Sequence, residues 1–67
     1  MTQEEILRYA RSGILTERHF CVEMRNKALG LVITYGEAAQ RLADDYKRDI
    51  ADLDAKLKEL EKLAGKE

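Results

Sequence analysis

From Glu37 to Ala64 the chain holds neither glycine nor proline, and apolar side chains recur along that run at alternating spacings of three and four. Ala39, Ala43, Tyr46, Ile50, Leu53, Leu57, Leu60 and Ala64 therefore fall on one seam of a helix. A long helix with a single apolar stripe must lay that stripe against something. In a chain of 67 residues, which buries only about 60% of the surface its unfolded form exposes, association is the natural source of added stability. Cys21 is the only cysteine, so no disulfide within the chain can supply it, and a lone thiol suits a reducing cytoplasmic setting.

Three threonines punctuate the sequence as helix starts. Thr2 is followed three residues later by Glu5, and Thr34 by Glu37, the spacing of a capping box. Thr16 precedes Glu17, whose charge favours the positive end of a helix dipole. Leu15 with Phe20, and Ile33 with Ala38, have the spacing of hydrophobic staples. Gly13 and Gly30 each follow a helical pattern and precede an apolar residue, as a glycine just past a helix end does. These signals predict an all-α single domain with helices over 3–12, 17–29 and 35–64 and a frayed tail at 65–67. Two alternatives stay open: a strand over Leu31–Tyr35, which would lack a mate, and one unbroken helix from Thr16 onward.

Two short helices folded on the N-terminal half of a helix roughly 45 Å long would leave Leu53, Leu57 and Leu60 uncovered. The expectation is a helical bundle or coiled coil formed by homodimerisation, with Ala39, Ala43, Tyr46, Ile50, Leu53, Leu57 and Leu60 as the self-association residues. An antiparallel pairing is favoured by the flanking charges: Asp49 would meet Lys56, Lys47 would meet Asp54, and Leu42 would meet Leu63 of the second copy. A parallel pairing would instead oppose Asp49 and Asp54.

Twelve basic residues against thirteen acidic ones give a net charge of −1, and neither half of the chain is strongly basic, so a dedicated nucleic-acid binder is not expected. No secretory signal and no membrane span is expected, the longest apolar stretch being Leu29–Ile33. His19 and Glu23 share a helix face, but Cys21 points elsewhere, so no metal is expected there. A Cys21 nucleophile would need an orienting third group, and no phosphate-cradling glycine loop occurs. The reading is neither an enzyme nor a cofactor binder.

Thr34-Tyr35-Gly36-Glu37-Ala38-Ala39-Gln40-Arg41-Leu42 resembles the segment that precedes the DNA-reading part of alkylguanine alkyltransferases. The resemblance ends at Leu42, and that family's Pro-Cys-His-Arg motif does not occur, so no family is recognised. The chain is expected to be a small protein–protein interaction module, an adaptor, inhibitor or regulator of a larger protein. The competing classes are a small nucleic-acid-binding regulator and a structural subunit. Arg8, Tyr9, Arg11, His19 and Arg25 are the candidate contacts for a protein partner, since arginine and aromatic residues are enriched at binding hot spots.

Overall fold

The computed structural model describes residues 2–65 and consists of α1 (Gln3–Gly30), the single turn α2 (Val32–Tyr35) and α3 (Glu37–Gly65). The long C-terminal helix spans almost the range that its apolar spacing predicts. Upstream the structure differs: the two short helices expected over 3–12 and 17–29 are one continuous helix of 28 residues. Gly13 lies inside it with ordinary helical backbone, and the Thr16 hydroxyl donates to the Ser12 carbonyl at 3.0 Å instead of capping a new helix. Leu15 and Phe20 are consequently mid-helix side chains and form no staple. The underlying cause is a heptad run that local punctuation obscures, in which Leu7, Ile14, Cys21 and Ala28 pass unbroken through Gly13.

Helix ends follow from local chemistry. Thr2 caps α1, its hydroxyl accepting from the Glu5 amide at 3.2 Å. At the other end the Leu31 amide donates to the Ala28 carbonyl. Thr34 does not open α3 as its spacing suggests. Its own amide is committed to the Leu31 carbonyl inside α2, and the chain reverses at Gly36, with φ 59 and ψ −130. Only glycine adopts that backbone readily. Ile33, 98% exposed, packs on nothing, so the expected staple to Ala38 is absent. Gly65 closes α3, and the remainder of the expected frayed tail lies outside the described residues.

α1 and α3 run antiparallel as a hairpin of nearly matched arms, about 42 and 44 Å long. Ile50 and Leu53 are buried against Cys21, with Ile14, Val22 and Tyr46 packed around them, while Leu57 and Leu60 are half-buried. Nearer the turn, Ala28, Ala39 and Ala43 let the helices approach closely. The expected self-association residues thus face α1 of the same chain. The premise that the upstream segments are too short to reach Leu53 does not hold.

The resulting core is thin. Its buried members are Cys21, Ala28, Ala39, Ala43, Ile50 and Leu53, three of them alanines. The radius of gyration is 15.4 Å, against about 11 Å for a compact domain of this length. Gly13 is a simple place to add stability, because a Cβ there would meet nothing within 4 Å and the backbone is already helical. Gly13→Ala is expected to stabilise the hairpin by about 0.5–1 kcal/mol, read as a raised midpoint in thermal unfolding followed by circular dichroism.

Candidate functional site

A two-helix hairpin has two broad faces, and in this one they differ in chemistry. Glu17 and Cys21 of α1 line a groove with Asp49, Leu53 and Lys56 of α3, which places these residues on one side. At about 100° per residue, Ile6 and Phe20 fall within an arc of about 60° that includes Glu17. On α3 the heptad-spaced Leu42, Asp49, Lys56 and Leu63 continue the same side. Its large apolar members are all exposed, Phe20 at 54%, Leu42 at 45% and Leu63 at 48%. Phe20 is steadied by an edge-on contact with Tyr46, their ring centres 6.5 Å apart. Between these exposed apolar residues lie the charges of Glu17, Asp49, Asp52 and Lys56.

The opposite face is basic along α1. Arg8, Arg11 and His19 line a shallow groove with Leu15, and Arg8 and Arg11 also border a cavity of about 570 Å³ with Leu60 and Glu61. Arg25 lies further along the same arc, beside Leu29, Ala43 and Lys47. Of the five residues expected to contact a partner, Arg8, Arg11, His19 and Arg25 share this face, and Tyr9 borders it, lining a groove with Arg8 and Ser12. Sequence reasoning paired Leu42 with Leu63 across an antiparallel dimer but overlooked Ile6 and Phe20 on the same face. It also overlooked Lys47 as the neighbour of Arg25. The signal was present in the heptad spacing of Arg11, Arg18 and Arg25, which aims three arginines at one flank of α3.

Arg18 shows how that flank is built: its Nε donates to Asp54 Oδ1 at 2.6 Å, an ion pair that joins the two long helices. Other pairs are local. Arg8 meets Glu4 at 3.6 Å, His19 Nε2 lies 3.2 Å from Glu23 Oε1, and Arg48 meets Asp45 at 2.7 Å. Each is well exposed and contributes at most a few tenths of a kcal/mol, so they orient side chains more than they hold the fold.

Cys21 is buried at the middle of the hairpin. Burial pushes its thiol above the ordinary range, and the carboxylates of Asp49 and Glu17 push in the same direction. The thiol is therefore held protonated, the opposite of what a nucleophile requires. Among the described residues no three His, Cys, Asp or Glu side chains converge as metal ligands would, and no helix is long and apolar enough to cross a membrane. Comparison with protein-family models, curated proteins and solved structures gives no match.

Proposed function

We propose that the chain is a homodimeric protein-interaction module in which two hairpins pair antiparallel through their apolar faces into a four-helix assembly. The observation that carries this reading is the flank of α3. Leu42, Asp49, Lys56 and Leu63 read apolar, acidic, basic, apolar at heptad intervals, and such a series complements its own reverse. In an antiparallel pair Leu42 meets Leu63 of the second copy, and Asp49 meets its Lys56. The same two-fold brings Phe20 near the centre and sets Ile6 of one copy towards Leu31 of the other, both exposed in the single hairpin.

The thinness of the core supports this reading. A chain of this size, with an elongated shape and a core half made of alanine, gains most by burying a second apolar surface. The seam residues then brace each protomer, while the outer basic face is left to engage another protein. An adaptor or regulator works in this way, holding two identical surfaces at a fixed spacing.

Sedimentation equilibrium over a wide concentration range tests the proposal. The wild-type chain is expected to be a dimer, and Leu42→Glu with Leu63→Glu is expected to weaken it at least a hundredfold, since each charge would be buried unpaired. D49K should weaken the dimer modestly, and D49K with K56D should restore it, as exposed pairs are worth about 0.2–1 kcal/mol each. A wild-type chain that stays monomeric at every concentration would overturn the reading.

A further inference from the structure

The heptad-spaced arginines of α1 form a ladder with one flank of α3, and its third rung is wrong. Arg18 pairs with Asp54 at 2.6 Å. One heptad towards the open end, Arg11 and Glu61 border the same cavity, again cation facing anion. One heptad towards the turn, the antiparallel register sets Arg25 against Lys47, and the two line one cavity of about 240 Å³ with Leu29, Gln40, Ala43 and Asp44.

Like charges at the one rung where a carboxylate would complete the pattern cost stability that a single substitution could recover. The cost is compounded at Arg25 itself. Among the described residues its buried Nε has no hydrogen-bond partner, and its one side-chain bond is Nη2 to the adjacent Asn26 Oδ1 at 3.3 Å. Asp44, the carboxylate that borders the cavity, accepts from Gln40 at 3.1 Å and makes no bond to Arg25. A half-buried guanidinium with an orphan donor, a lysine opposite and an exposed leucine alongside has the composition of a receptor for an acidic side chain flanked by an apolar one.

We infer that the Arg25–Lys47 rung is a docking site for an acidic, amphipathic segment of another protein, whose carboxylate completes the ladder and whose neighbouring apolar side chain covers Leu29. The site lies on the face opposite the proposed dimer surface, so it stands or falls separately from dimerisation.

The test uses the whole chain and a synthetic amphipathic helical peptide carrying Glu beside Leu, with a Gln-for-Glu peptide as control. Nuclear magnetic resonance follows the Arg25 Nε–H and the Leu29 methyl groups. Saturable shifts of both signals with the Glu peptide are expected, with binding about tenfold weaker or more for the Gln peptide, as loss of a charge-assisted hydrogen bond implies. K47E closes the rung within the chain. It should raise the thermal midpoint while weakening the Glu peptide by a similar factor, which separates lost binding from lost folding. Equal binding of the two peptides, unmoved Arg25 and Leu29 signals, or shifts produced by duplex DNA and not by the peptide would each overturn the inference.

Discussion

Leu53→Asp is expected to unfold the protein. Leu53 is 5% exposed at the centre of the seam, packed in the cluster with Cys21 and Ile50. Its replacement removes a buried leucine's transfer free energy and leaves an unpaired carboxylate facing α1, a loss of about 3–5 kcal/mol. A chain of this length has roughly 3–10 kcal/mol of total stability, and the thin core places this one towards the lower end. Far-ultraviolet circular dichroism should therefore show most of the helicity gone at room temperature. Leu57→Asp, one turn further on and only half-buried, should cost less because water can reach the new charge. The order of the two variants is itself informative. Equal effects, or wild-type helicity in Leu53→Asp, would mean that the seam is not what holds the hairpin together.

Gly36→Ala is expected to be the most damaging substitution at the turn. A Cβ at Gly36 would meet no atom within 4 Å, so crowding plays no part. The penalty comes from the backbone alone, since φ 59 with ψ −130 is foreign to L-residues, and it amounts to about 1–3 kcal/mol. Urea unfolding should report it as a lowered midpoint with unchanged slope. Chemical synthesis offers a sharp control: D-alanine fits the same dihedrals and restricts the unfolded chain, so it should match or exceed glycine. If both alanines destabilise equally, the reversal does not depend on the left-handed backbone.

The fold was partly legible because its strongest signal is long. Eight apolar residues in heptad register specify α3 almost to its ends, and Thr2 with Glu5 marks the start of α1. What misled was short-range chemistry at Thr16 and Thr34. A cap is worth about 1 kcal/mol, and an interior glycine costs a similar amount. Breaking α1 at Gly13 would also forfeit the packing of Ile14 in register with Cys21. Thr16 instead bonds back to Ser12, and Thr34 is spent inside α2. Gly36, not Gly30, carries the left-handed turn because the chain completes α2 before reversing.

The surfaces were less legible for a related reason. Arg11, Arg18 and Arg25 look like scattered surface charge until α1 is continuous and α3 lies antiparallel beside it. Only then does Lys47 stand out as the mismatch. The apolar face was hidden likewise: Ile6 and Phe20, two heptads apart, belong together only on an unbroken helix.

The uneven distribution of buried residues along the hairpin has a kinetic consequence. Ala28, Ala39 and Ala43 close the turn end tightly and Ile50 and Leu53 fill the middle, whereas Leu7 and Leu60 at the far end are only half-buried. The free energy of local opening is thus expected to be lowest where Thr2 and Gly65 emerge and highest where Cys21, Ile50 and Leu53 pack. Contacts nearer the turn close the shorter loops, so folding is expected to spread outward from the turn side and unfolding to start at the open end, an order that native-state hydrogen exchange would read. The hairpin is then expected to behave as a clasp that opens at the end away from Gly36 while the turn side stays shut.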